Sequence, residues 1–201
     1  MANLPKSLKA EQAKSRLIVS AAALLREKGP AGVTYRSVAQ WAGMSPSSTS
    51  YYFDSITDLL SHAGEHNIGL WARRAESVVE KAQAMTPEEC RSKVVELLIK
   101  ACLPKDVSTH RNHYIQLVAS EESEVVTKAY RRGRARLDSA VNEILQLAGL
   151  GWIDATMIIA VVDGGAIEAL SEGRSVVETV SELLKYIITA KERWRSSVES
   201  G

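Results

Sequence analysis

Apolar residues return every three or four positions along almost the whole chain. Nowhere do they alternate with polar ones in the period-two pattern of a half-buried strand. The chain therefore reads as all-α. Leu17, Ala21, Leu24, Leu25 and Lys28 repeat at helical spacing in a first helix from about Lys9 to Lys28, which Gly29-Pro30 stops. Thr34 caps a second helix, TYRSVAQWA, with Val38, Ala39 and Ala42 as its packing positions. Gly43 follows as a turn, where a left-handed backbone costs least. Ser45 is placed to cap a very short third helix with Pro46 at its first position, where the missing N–H does no harm, and Phe53 ends it. Ser55, with Asp58 three residues on, opens a fourth helix to about Met85.

The remainder continues in the same period. Thr86-Pro87-Glu88-Glu89 starts a fifth helix to about Leu103, and a sixth spans about Thr109 to Ser120. A long seventh, Glu124 to Ala148, turns Val125, Tyr130, Leu137, Val141, Ile144 and Leu145 inward, and Gly149 and Gly151 break it. GWIDATMIIAVVDGGAIEALSEG is then almost wholly apolar through its middle. Ser175 caps a last helix with Val176, Val180, Leu183, Leu184, Ile187 and Ile188 on one stripe. A helix as apolar as residues 153–170 needs cover on nearly every side. Either it is the central core helix of a monomer, or a second copy covers it through a four-helix interface built from the last two helices, like a core cut in two.

Residues 34–53 thus spell helix, glycine turn, short helix, which is the helix-turn-helix pattern. The stretch GMSPSSTSYYF supplies its second helix. Small hydroxyls let a helix approach base edges closely and can donate or accept, tyrosine hydroxyls reach phosphates, and Phe53 anchors the short helix inward. The bland alternative is a serine-rich surface loop. Charge leans the same way: residues 1–55 carry seven basic and three acidic side chains, a net +4 within a chain of net +1, so the head suits a polyanion.

Composition narrows the class further. At 45% hydrophobic and 24% charged residues the chain reads as an ordinary globular one. No apolar run reaches a membrane span, MANLPKSLKAEQAK has no signal-peptide pattern, and two cysteines, Cys90 and Cys102, are too few for a disulfide framework, so a cytoplasmic location is expected. No phosphate loop, GxSxG elbow or paired-carboxylate signature appears, which argues against an enzyme and a cofactor. His62 and His66, and His110 and His113, have helical spacing that could hold zinc, but without a clear cysteine or carboxylate partner they read as surface or pocket polar residues, and no metal is expected. The basic run from Tyr130 to Arg136 reads as a solvated helix face balanced by Glu121, Glu122 and Glu124.

The head resembles the DNA-binding head of tetracycline-repressor (TetR) family regulators. The resemblance lies in IVSAAALLREKGPAGVTYRSVAQWAGMSPSSTSYYFDSITDLL: an alanine-rich helix ending in Glu-Lys-Gly, Thr34 ahead of the pair Val38-Ala39, the turn from Ala42 to Ser45, and the Tyr-Phe ending. More loosely, VVDGGAIEAL resembles the family's penultimate helix. It implies an N-terminal three-helix head, residues 1–55, and a C-terminal helical ligand-binding and dimerisation domain, residues 56–201. It implies a homodimer that binds a double-stranded operator, an inverted repeat, and answers to a small-molecule effector, usually as a repressor. By position Pro46, Ser47 and Ser48 would face bases, Arg36 would reach guanine, and Thr34, Tyr35, Tyr51 and Tyr52 would sit on phosphates, with Ser45 and Ser50 completing the DNA-facing set. Two positions depart from the pattern. Ser50 stands where the family often has tyrosine, and Ile56 where a phosphate-touching lysine is usual.

Effector candidates are His66, Leu70 and Trp71 on the fourth helix, Leu98 and Cys102 on the fifth, Tyr114, Leu117 and Val118 on the sixth, and Met157 and Val161 on the eighth; singly, each is equally a core residue. Effector binding would tilt the fourth helix and change the spacing of two recognition helices that must enter successive major grooves about 34–36 Å apart. Two other readings share the same residues. One is a nucleoid-associated DNA-binding protein whose body takes a protein partner; the other is a helical ligand-binding protein or enzyme with a decayed head.

Overall fold

A computed structural model describes residues 6–199. The first five residues of the segment read as lacking a signal peptide lie outside the described part. Among the described residues every regular element is helical: α1 Lys6–Lys28, α2 Tyr35–Ala42, α3 Pro46–Tyr52, α4 Ile56–Gln83, α5 Pro87–Cys102, α6 His110–Ala119, α7 Glu124–Leu147, α8 Ala155–Ser171 and α9 Val176–Glu199. α1 begins earlier than its apolar stripe because nothing between Pro5 and Lys9 breaks a helix. Single 3-10 turns at Pro30–Gly32, Val107–Thr109 and Ser120–Glu122 are too short to leave a period in the sequence.

The helix ends follow local chemistry. Thr34 Oγ1 accepts from the Ser37 N–H at 3.1 Å while Ser37 Oγ takes the Thr34 N–H at 3.0 Å, a reciprocal box that starts α2. Thr86 and Glu89 do the same for α5. Asp154, whose carboxylate accepts from the Thr156 and Met157 N–H groups at 2.7 and 3.3 Å, starts α8. Ser45 departs from its expected role. It has the extended backbone of a cap, but its hydroxyl makes no bond to the helix backbone and turns instead to Ser47 Oγ and Ser48 Oγ, each at 2.9 Å.

The chain divides into two compact units, residues 1–70 with 112–133, and residues 71–111 with 134–201. In the first, α1 buries Leu17, Ala21, Ala22, Leu24 and Leu25, packs on α2, and α2 packs on α3. Lys28, assigned to that stripe by spacing, is exposed, since a charged tip at a helix end finds water more cheaply than burial. Glycines let α4 and α7 approach: a Cβ on Gly64 would stand 3.2 Å from Ala129 Cβ, and one on Gly133 would stand 1.8 Å from Ile68 Cγ1.

In the second unit α8 packs on α9, and α5 packs on both. Leu98, Ile144, Leu145, Ile158, Ile159, Val162, Val180 and Leu184 form its core. α8 is nevertheless not covered on every side: Ala160, Gly164 and Ile167 are exposed, Ile167 by 50%. α9 likewise exposes Tyr186 and Trp194, by 74% and 65%. Of the acidic residues expected to balance the basic run of α7, Glu124 pairs with Lys128 at 2.7 Å and feels Arg131, and other carboxylates pair with the run's arginines. Arg132 pairs with Glu65, Arg134 with Asp138 at 2.8 Å, and Arg136 holds Glu76 through two bonds of 2.8 and 2.7 Å. Glu65 and Glu76 come from α4, whereas Asp138 stands one turn along α7 itself. Tyr130, at the head of the run, is buried.

Two outcomes follow for stability. Gly133→Ala forces Ile68 aside at its Cβ as well as Cγ1, and is expected to cost about 1–3 kcal/mol in denaturant unfolding. Burial pushes the Tyr130 hydroxyl up to about 12, against the opposing pull of hydrogen bonds from Gln116 and Asn67. The folded state therefore keeps the neutral phenol where the unfolded chain begins to lose it. That stabilisation is complete below pH 10.0 and is lost as the pH rises toward 12. Melting curves across this window should be flatter for Tyr130→Phe than for the native chain.

Candidate nucleic-acid interface and effector residues

The turn between α2 and α3 is set by Gly43, at φ 62° and ψ 39°. Its N–H bonds to Gln40 O at 3.2 Å, and Met44 N–H reaches back to Ala39 O at 2.9 Å. This pair of bonds ends α2 sharply and needs a left-handed residue between. The Arg16 guanidinium of α1 donates to Ala42 O and holds the same turn from below. Phe53, 1% exposed, closes the other end of α3. Its ring lies edge-on to His62 at 5.8 Å, and Lys14 Nζ stands 5.4 Å from its centroid. Thr49, the middle residue of α3, is buried with it.

With Thr49 and Phe53 turned inward, the rest of α3 faces out. Ser45, Pro46, Ser47, Ser50 and Tyr51 are exposed, Tyr51 by 81%, and Ser48 and Tyr52 are half-buried. Tyr51 and Tyr52 meet edge to face at 5.0 Å. Thr34 and Arg36 are exposed on the α2 side. Tyr35 is half-buried, and its hydroxyl donates to Phe53 O at 3.3 Å. α3 carries no charged side chain. Of its serine hydroxyls, those of Ser47 and Ser48 bond to Ser45 Oγ, and Ser50 Oγ donates to the Ser47 backbone carbonyl at 3.2 Å.

The candidate effector residues are distributed over both units. His66, Leu70, Tyr114 and Leu117 belong to the first; Trp71, Cys102, Met157 and Val161 belong to the second. Tyr114 and Cys102 are buried, His66, Trp71, Leu117, Met157 and Val161 half-buried, and Leu70 exposed. Leu98 is core, and Val118 is exposed. The Cys102 thiol is pushed up to about 12, chiefly by burial and then by Asp163, with Arg74 and Arg134 pulling the other way. It is a neutral packing group at any physiological pH. Among the histidines, His62 lies 3.6 Å from Asp58 and 3.9 Å from Glu65, whereas His110 is fully buried with Nε2 2.9 Å from Pro104 O. His110 is thus a core residue rather than a surface or pocket one. Among the described residues no three His, Cys, Asp or Glu side chains are grouped as a metal site.

Sequence spacing missed a polar set in the first unit: buried Asn67, Gln116 and Tyr130, with half-buried Arg26. The signal available was an asparagine and a glutamine each on the apolar side of a helix, which a search for charged or aromatic motifs passes over. A short exposed helix, set by a glycine turn upon a three-helix support, is a helix-turn-helix DNA-binding head. Residues 17–63 match the family model of bacterial regulatory proteins, tetR family, so this segment is similar to the DNA-binding head of those regulators.

The rest of the fold is shared with solved structures. A TetR transcription regulator from Haloarcula marismortui is 17% identical, with a TM-score of 0.67, over 90% of this chain and 98% of that one. A protein from Saccharomonospora viridis described as a transcriptional regulator and solved with choline is 22% identical, with a TM-score of 0.65, over 88% and 96%. The multidrug binding protein EbrR, solved with proflavin, is 22% identical, with a TM-score of 0.59, over 87% and 98%. At these identities the likeness establishes the fold. Among curated proteins nothing matches the chain. Among the described residues no helix is long and apolar enough to cross a membrane.

Phe53→Ala is expected to remove about 3–5 kcal/mol from the head. Calorimetry should place the loss in the transition that also abolishes DNA binding. As Phe53 is the chain's single phenylalanine, one fluorine-labelled ring reports on the head alone.

Proposed function

We propose that the chain is a homodimeric, cytoplasmic repressor that binds an inverted-repeat operator and is released from it by a small molecule. The observation that carries the reading is the uncharged, hydroxyl-faced α3 held outward on the segment that matches the family. In this reading residues 1–55 are the DNA-binding domain and residues 56–201 the ligand-binding and dimerisation domain. Pro46, Ser47 and Ser48 meet base edges, with Ser45 and Ser50 at their margins. Arg36 reaches guanine in the major groove. Thr34, Tyr35, Tyr51 and Tyr52 contact phosphates, Tyr35 by exchanging the Phe53 carbonyl for a phosphate oxygen. His66, Leu70, Trp71, Cys102, Tyr114, Leu117, Met157 and Val161 serve the effector. The relatives solved with choline and proflavin bind cations, which sets the first compounds to try.

The dimer reading is supported by the small and apolar residues that α8 and α9 leave uncovered, Gly164 and Ile167 above all. Among the described residues, nothing beyond its chain neighbours and its own helix backbone lies within 4 Å of a Cβ built on Gly164. Gly164→Trp is therefore expected to leave the protomer folded and to turn the dimer into a monomer in sedimentation analysis; a dimer that survives would place the interface elsewhere.

The reading as a whole is tested by genomic binding selection with purified protein, with and without cationic metabolites. One recovered inverted repeat whose signal falls with a compound supports it; no enriched sequence sinks it. On that operator Arg36→Ala should cost about 1–3 kcal/mol and relax one base position, whereas Tyr51→Phe should weaken all sequences alike. Ile56→Lys, restoring the cation usual in the family, should steepen the log–log salt dependence by about 0.9 per head.

A further inference from the structure

The polar set of the first unit forms one connected junction. Asn67 of α4, 1% exposed, donates from Nδ2 to Ala22 O of α1 at 3.1 Å and accepts at Oδ1 from the Arg26 guanidinium. It also shares a hydrogen bond with the Tyr130 hydroxyl of α7, which takes another from Gln116 Nε2 of α6. Four helices thus meet through one asparagine that no water reaches.

Such a junction is an expensive way to hold helices together. An apolar core of the same volume is as stable or more so, because burying polar groups costs solvation that their mutual bonds only return. What hydrogen bonds add is direction. A leucine contact tolerates a small slide or rotation, whereas an amide engaged on both sides loses its partners if either helix moves by a fraction of a bond length. The head joins α4 by covalent connection after Tyr52; the junction is a second attachment, at α1.

We propose that Asn67 is a positioning residue for DNA binding: it clamps α1 of the head to α4, and through Tyr130 to α7 and α6, so that head and clamp move as one body. Resting on the regulator reading above, this assigns a route. A displacement of α6, which carries Tyr114 and Leu117, is delivered to the recognition helix rather than absorbed between head and body. It also assigns the means by which each head keeps the orientation that one half-site spacing demands.

The test uses the full-length protein on a library of inverted repeats whose central spacer is lengthened or shortened by one and two base pairs. The native chain should prefer one spacing. Asn67→Ala and Tyr130→Phe should each reduce the preference for that spacing over its neighbours, at least fivefold for Asn67→Ala, while base preference within each half-site stays unchanged. Simple destabilisation would weaken all spacings equally. A variant that folds, judged by its melt and by the fluorine signal of labelled Phe53, yet keeps the native spacing preference overturns the clamp. Tyr130→Phe deletes one hydroxyl only and carries the test should Asn67→Ala not fold. If the native protein selects no inverted repeat, the regulator reading fails. The clamp is then judged by amide exchange, where Asn67→Ala must speed exchange in residues 17–28 at least tenfold; unchanged exchange there overturns it.

Discussion

A helix of seven residues does not hold its shape in water, because nucleating it costs more than its few hydrogen bonds return. α3 exists because Thr49 and Phe53 are buried against the head, and the rest of its surface is free for recognition only because those two are not. Every other feature of the head serves that burial. Gly43 turns the chain so that α3 crosses α2, Arg16 fastens the turn from α1, and Lys14 and His62 line the phenylalanine ring. In the proposed function, recognition falls to a segment with almost no stability of its own.

The chemistry of that surface is unusual for a polyanion's partner. No cation lies on α3, and the basic residues of the head sit on α1 and α2. Steering toward DNA is then left to a diffuse positive field, and discrimination to hydroxyls, a proline and tyrosines at close range. Hydroxyl contacts carry little of the salt-dependent, sequence-blind attraction that phosphates offer to lysine. A head of this kind gives up non-specific affinity before it gives up selectivity.

The body follows the opposite logic. Its charges are numerous but paired, across helices as in Arg136–Glu76 or along one helix as in Arg134–Asp138, and these exposed bridges contribute little each. Its stability rests on the apolar faces of α5, α7, α8 and α9. α8 and α9 leave Ala160, Gly164, Ile167, Tyr186 and Trp194 uncovered, beside charged residues such as Glu168, Glu178 and Lys185.

Much of this was legible in the residues themselves. The helical period, the glycine stop after Lys28, the Thr34 and Thr86 caps and the inward Phe53 are local matters: each depends on neighbours within about one helical turn, and propensity and capping decide them. The recognition helix could be placed for the same reason. The cross-helix partners of the α7 arginines could not be placed, nor the burial of His110, nor the turn of the Ser45 hydroxyl to neighbouring serines instead of the helix backbone. Sequence proximity pointed to Glu121, Glu122 and Glu124, while packing delivered Glu65 and Glu76. Above all, nothing marks Asn67 as different from any polar residue on a long helix. Its meaning comes from Ala22, Arg26 and Tyr130, separated from it by tens of residues in sequence and joined to it only by helix crossing. Local sequence determined which elements form and where they end, because those energies are local; tertiary structure alone decided which polar groups meet in the dry interior, because that depends on the angle at which distant helices pack.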